Sequence, residues 1–276
     1  MGRVKLDIQF FINCGIMKKI IIIMLVMVTF PGILLSGINE NIPGDVKKYT
    51  VKIVREIPHD INSFTQGLIF HAEKIYESTG LSGQSTLRQI DAHTGIVEKI
   101  LPVPGVFAEG LARWNNHLIQ LTWNDHIAFI YNISDFSKVG ILSYETQGWG
   151  LTADNRHLIM SDGSDRLYFR NPNSFDVERT IHVRYQGKPL NFINELEYVD
   201  GLIYANIWQK KIIVQIDPAD GMVVGYIDCE ALFQRLPPLD SENVLNGIAF
   251  NDKTKTFYLT GKNWPKIFQV VLVPES

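Results

Sequence analysis

A short phrase recurs in this chain, and its recurrence limits the fold before any local propensity does. "FTQGL" at 64–68 returns as "FAEGL" at 107–111. Three further segments align with this pair: "GWGL" ending at Leu151, "INEL" ending at Leu196 and "LNGI" ending at Ile248. Taking the last residue of each as an anchor, at 68, 111, 151, 196 and 248, the spacings are 43, 40, 45 and 52 residues. Periods of this size with strand-like content belong to propeller blades. After each anchor comes a polar turn ("HAEK", "WNNH", "ADNR", "VDG", "NDKTK"), and then further short runs rich in β-branched and aromatic residues, such as "LIYANIW", "KIIVQIDP" and "VVGYIDC". Bounded by Gly, Asn, Asp and Pro, these runs carry the strand signature. "DAHTG" and "DPADG" read as hairpin turns in which Gly supplies a positive φ.

The fifth unit lacks its fourth run, because the chain ends at Ser276, while "YTVKIVREIPH" (49–59) precedes the first unit as a spare strand. Pairing the two closes the ring and leaves no sheet edge open. The expectation is an all-β, five-bladed β-propeller closed by an N-terminal strand pairing with the last blade. Helical pattern is confined to "CEALFQRL" in the long fifth spacer, 228–244, and that spacer with its "RLPPLDSEN" reads as a loop over the channel mouth.

The N-terminus stands outside this repeat. "MKKIIIIMLVMVTFPGILLSG" (17–37) has a basic start, an apolar run of about 16 residues and a small-residue end, the order of a secretory signal peptide. The run is shorter than the roughly 20 residues that span a bilayer, so cleavage is favoured over an uncleaved membrane anchor. The expected organisation is a signal peptide over 1–37, with 1–16 an upstream extension, a linker over 38–48, and a single catalytic propeller over 49–276, secreted or periplasmic. Cys229 alone of the two cysteines would survive processing, so no internal disulfide forms, and its strand-like setting makes it a buried small hydrophobe. The net charge of −3, without blocks of like charge, gives no support to nucleic-acid or anionic-membrane binding.

First strands line the centre of a propeller, so equivalent repeat positions form rings. Two residues before each anchor stand Gln66, Glu109, Trp149, Asn194 and Asn246; twelve after it stand Gly80, Trp123, Gly163, Trp208 and Thr260. One carboxylate thus sits among amides and indoles, poorly solvated, with its pKa expected to rise toward neutrality. Glu109 is the general acid/base candidate, Trp123, Trp149 and Trp208 form an apolar pocket, and Lys262, two past the fifth ring position, offers positive charge to a developing oxyanion. The plainer alternatives are packing for the aromatics, backbone satisfaction for the amides, and a structural ion pair between Glu109 and Lys262. Glu195, beside Asn194, reads as structural. No HExxH, phosphate loop or G-x-S-x-G is present, the seven His lack metal-ligand spacing, and "NIS" at Asn132 is a weak sequon.

In order, "FTQGL", "FAEGL", "LTWND", "GWGL", "INELEYVDGLIYANIW" and "GKNWP" make the chain resemble the glutaminyl-peptide cyclotransferases of the plant and bacterial type, over residues 50–275. The resemblance implies a five-bladed propeller and cyclisation of an N-terminal glutamine to pyroglutamate with loss of ammonia. It implies Glu109 as acid/base, Phe64, Gln66, Phe107, Trp123, Trp149 and Trp208 around the glutamine, and Asn194 and Lys262 as polar contacts. Peptide or protein N-termini bearing glutamine are the implied partners and a monomer the expected state. No cofactor is expected. Animal enzymes of the same activity use zinc, and this chain has no matching ligand pattern, so no catalytic metal is expected. Two rivals stay open: a calcium-dependent propeller hydrolase with Glu109, Asn194 and Asn246 as oxygen ligands, and a non-catalytic propeller binding peptides or glycans.

Overall fold

The structure is a computed structural model and describes residues 46–275; the signal segment and most of the linker expected from sequence lie outside the described residues. The described residues are all-β, with one turn of helix. β1 (Lys47–Pro58) comes first. β2–β5 (Thr65–His71, Lys74–Thr79, Thr86–Asp91, Val97–Pro102) form a four-stranded antiparallel meander. A second meander is β6–β9 (Ala108–Trp114, His117–Thr122, Ile127–Asn132, Lys138–Ser143). A third is β10–β13 (Leu151–Ala153, Leu158–Ser161, Arg166–Arg170, Val177–His182). A small hairpin, β14 (Arg184–Tyr185) and β15 (Lys188–Pro189), leads to the fourth, β16–β19 (Ile193–Val199, Leu202–Ile207, Ile212–Ile216, Val223–Asp228). After α1 (Glu230–Phe233) come β20–β22 (Leu245–Asn251, Thr256–Gly261, Lys266–Pro274).

β1 supplies the strand this last set lacks, running antiparallel to β22 from Tyr49 opposite Pro274 to Pro58 opposite Lys266, with a bulge between Ile53 and Arg55. Its first four residues, Lys47–Thr50, also pair in parallel with Gly225–Asp228 of β19. The repeat did not foretell this second pairing. At 12 residues β1 is twice as long as β19, and its free edge covers a strand that would otherwise end its sheet open. The fourth and fifth sets thereby join into one eight-stranded sheet.

Burial follows strand order. β2, at the inside, is buried along most of its length, whereas β5, at the outside, alternates half-buried and exposed positions. The first strands neighbour one another in a closed circuit, β2 to β6 to β10 to β16 to β20 and back to β2. The glycine before the anchor makes this approach possible. A Cβ at Gly67 would lie 2.4 Å from Leu111 N, one at Gly110 2.5 Å from Leu151 N, and one at Gly150 2.0 Å from Asn194 O. The apolar core is correspondingly divided into seams between neighbouring sheets. Leu87 and Leu118 lie in one, Leu121 and Leu158 in the next, and Ile57, Leu68 and Ile267 in the seam joining the last set to the first. Each such side chain, fully buried, contributes about 1.5–3 kcal/mol.

Candidate active site

The loops entering the first strands carry a ring that the sequence pattern held but did not reveal. Four residues before each anchor stand Phe64, Phe107, Gln147, Phe192 and Val244. The backbone carbonyls of Phe64, Phe107 and Phe192 accept the N–H of Gly80, Trp123 and Trp208 at 2.8, 2.9 and 2.9 Å, which sets the two rings against each other. In the fifth set Val244 O accepts from Lys262 N at 2.9 Å. This corrects the offset-based placement of Thr260. The turn from Asn251 to Thr256 is two residues longer than its counterparts, so Lys262 itself occupies the position held elsewhere by Trp123 and Trp208. Thr260 is buried one strand step below and donates to Lys266 O at 2.9 Å.

These rings form an arc of aromatic side chains. Lys262 Nζ lies 4.6 Å over the Phe64 ring; Phe64 meets Phe107 edge-on at 6.1 Å, and Phe107 meets Trp123 at 5.6 Å. On the far side Trp149 meets Trp208 edge-on at 6.1 Å, and Trp208 meets Phe192 at 5.9 Å. Gln147 joins the two halves, its Oε1 accepting from the indole N–H groups of both Trp123 and Trp149 at 3.0 Å each. The glycines of the outer ring leave room for these side chains: a Cβ at Gly80 would lie 2.5 Å from Phe107, and one at Gly163 2.6 Å from Trp149. All three indoles expected from the sequence are thus brought together, and Gln147 and Phe192 are additions.

Inside the arc lie the polar groups. Glu109 on β6 is 5% exposed. Burial pushes its carboxyl well above the ordinary carboxylate range, opposed by the charge of Lys262 and by the Gln66 amide. Asn246 orients that amide. Its Nδ2 donates to Thr65 O at 2.9 Å and to Gln66 Oε1 at 3.0 Å, so the Gln66 NH₂ is left to point toward Glu109. Lys262 is buried too; desolvation lowers its ammonium pKa, and Glu109 and Glu242 counteract this. Among the described residues no ion pair joins Glu109 and Lys262, so the structural-pair alternative fails. They act on each other through space, beyond ion-pair distance. The Oδ1 atoms of Asn194 and Asn246 are buried without a hydrogen-bond partner in the protein. Among the described residues no group of three or more His, Cys, Asp or Glu is placed to hold a metal ion.

Beneath this layer lies a second acid. Glu195 takes the position that is glycine in the other four units. It is fully buried, and its oxygens accept Leu68 N at 3.2 Å and Ile248 N at 2.8 Å, tying β16 to β2 and β20. The structural reading of Glu195 holds, and the strands it ties carry Gln66 and Asn246. Glu197, two residues on, accepts Phe250 N at 3.0 Å; burial pushes it up to about 8. Cys229 is buried and free, and burial raises its thiol pKa.

Three comparisons bear on this arrangement. The glutamine cyclotransferase family matches residues 26–272. A glutaminyl-peptide cyclotransferase of Arabidopsis thaliana is 37% identical over 231 residues, which cover 82% of this chain and 72% of that protein. The crystal structure of Myxococcus xanthus glutaminyl cyclase superposes with a TM-score of 0.80 at 39% identity, covering 84% of this chain and 100% of that one. By sequence across most of its length and by fold, the chain belongs to the glutamine cyclotransferase family.

Proposed function

We propose that the chain converts the N-terminal glutamine of peptides to pyroglutamate with release of ammonia, and that Glu109 moves the proton. Family membership supports the activity. The observation that carries the mechanism is a buried carboxyl, raised by desolvation, facing an oriented amide and a buried cation inside an aromatic arc. The closed circuit of first strands and the seams between sheets support reading the ring as a five-bladed propeller. The order of basic start, apolar run and small-residue end over 17–37 supports an exported enzyme.

The reaction is intramolecular. The neutral α-amine attacks the side-chain carbonyl carbon, and a five-membered ring closes as the new C–N bond forms. Glu109 accepts the amine proton and returns it to the amide nitrogen, whose bond to carbon then breaks as ammonia leaves. Trp123, Trp149, Trp208, Phe64 and Phe107 hold the glutamine side chain folded into near-attack geometry, where most of the entropic cost is already met. Lys262 and the Gln66 amide face the carbonyl oxygen as it becomes negative; a well-placed donor of this kind lowers the barrier by about 3 kcal/mol. Asn194, with its free Oδ1, accepts from the substrate's amine or amide N–H. Purified protein incubated with Gln-Ala is expected to release one ammonia per pyroglutamyl-Ala formed, measured by coupled ammonia assay and mass loss. Absence of ammonia would remove the reading; ammonia together with Glu-Ala would make the protein an amidase instead.

A further inference from the structure

The segment between α1 and β20 forms one wall of a cleft of about 500 Å³. Phe233, Leu236, Leu239 and Val244 give this wall a half-buried apolar lining, and Gln209–Lys211 form the opposite bank. Two of the residues that line the cleft adjoin the residues of the arc. Gln209 directly follows Trp208, and Val244 is the residue whose carbonyl fixes Lys262 N at 2.9 Å. Glu242, on the same wall, lies near enough to act on the charge of Lys262. The wall is also anchored. Asn243 O accepts from Trp264 Nε1 and Asn243 Oδ1 from Asn263 Nδ2, both at 2.9 Å, and Arg235 O accepts from Lys266 Nζ at 2.9 Å. A partly apolar trough that adjoins the candidate site at Gln209 and Val244, and is large enough for a small ligand, has the properties of a substrate subsite.

We propose that this cleft binds the two residues following the N-terminal glutamine and selects for apolar side chains there. The assignment rests on the cyclotransferase reading. A substrate whose first residue lies between Trp208 and Lys262 has its continuation beside Gln209 and Val244, and Leu236 and Leu239 offer the surface that an apolar side chain would cover. Burying such a side chain there adds binding energy remote from the reacting atoms, which raises kcat/KM.

The test compares glutamine amide, Gln-Gly-Gly-amide and Gln-Leu-Phe-amide by ammonia release. For the wild-type protein, kcat/KM for Gln-Leu-Phe-amide is expected to exceed that for Gln-Gly-Gly-amide on the order of tenfold. In the double variant Leu236→Ala, Leu239→Ala the two peptides should become equal while glutamine amide turns over at the wild-type rate. Both side chains also pack on the core, so the single variant Leu239→Ser is measured alongside, with a smaller loss of the same preference expected. Equal treatment of the two peptides by the wild-type protein, or a preference that survives both variants, overturns the cleft assignment and leaves the cyclotransferase reading standing. Failure of the wild-type protein to turn over any of the three substrates overturns both.

Discussion

Replacing Glu109 by glutamine is expected to lower kcat by about 10²–10⁴-fold, the usual contribution of a positioned acid/base. The substitution keeps the shape of the side chain and the contact with Gln66 but removes the group that exchanges a proton. KM should change little, since the aromatic arc proposed to hold the substrate is untouched. The variant should also melt no lower than the wild-type protein. Because burial raises the folded-state pKa of Glu109, the ionised form is unfavourable in the native protein, and stability falls as pH rises from about 4.5 toward that higher pKa. Glutamine removes this cost, so at neutral pH the variant should be equally or more stable. Ammonia release and thermal melts read the two effects separately. Wild-type turnover by Glu109→Gln would take Glu109 out of the mechanism.

The second large effect concerns closure of the ring. His59, just beyond β1, is buried with Glu77 of β3, its Nε2 3.0 Å from Glu77 Oε1 and its Nδ1 2.8 Å from Trp264 O. Thr65 Oγ1 donates to the same carboxylate oxygen at 2.6 Å. Both ring nitrogens of His59 face acceptors, an arrangement that favours the doubly protonated imidazolium. The cluster thereby links the N-terminal strand, the first meander and the β21–β22 loop at the point where the ring closes. Although burial alone would lower the His59 pKa, Glu77 and Trp264 O raise it overall; the Glu77 pKa is lowered, His59 and Thr65 outweighing its burial. Removing one partner, by Glu77→Gln or His59→Leu, leaves the other buried and unpaired and should cost about 3–5 kcal/mol, or about 10 °C in Tm for a protein of this size. The pH dependence has a definite sign. The His59 contribution is complete below about pH 6.5 and fades as pH rises through its raised pKa. The Glu77 contribution is complete above about pH 4.5 and fades as pH falls through its lowered pKa. The gap in Tm between wild type and Glu77→Gln should therefore be widest between about pH 4.5 and 6.5. A gap that does not vary with pH would contradict the charged pair.

The ring was legible because its determinants repeat. Gly67, Gly110 and Gly150 each stand just before an anchor, where the neighbouring first strand leaves no room for a Cβ, and Gly247 at the same position has a φ of 124° that favours glycine. Glu109 stood out as the acid among repeat-equivalent amides, and the indoles stood out by their offset. What stayed hidden depended on register. Lys262 was assigned beside the ring instead of in it, because two extra residues in the Asn251–Thr256 turn shift the count without moving the strand. Gln147 and Phe192 lay in a ring four residues before the anchors, visible in the alignment once that column is read down. The role of Glu195 could not be read from spacing, since its carboxylate bonds backbone N–H groups of two strands distant in sequence. The His59–Glu77 pair, 18 residues apart and on two sheets, had no local signature either.

The central claim is that burial, set against Lys262 and Gln66, lifts the Glu109 carboxyl well above the ordinary carboxylate range, where it can take up and return a proton. The most direct measurement is a ¹³C NMR titration of glutamate-labelled protein, with the Glu109 signal identified by its absence from Glu109→Gln. Its midpoint is expected well above 4.5, moving higher still in Lys262→Met, where the cation that favours the ionised form is gone. A midpoint near 4.5 in the wild-type protein, unmoved by Lys262→Met, would contradict the claim.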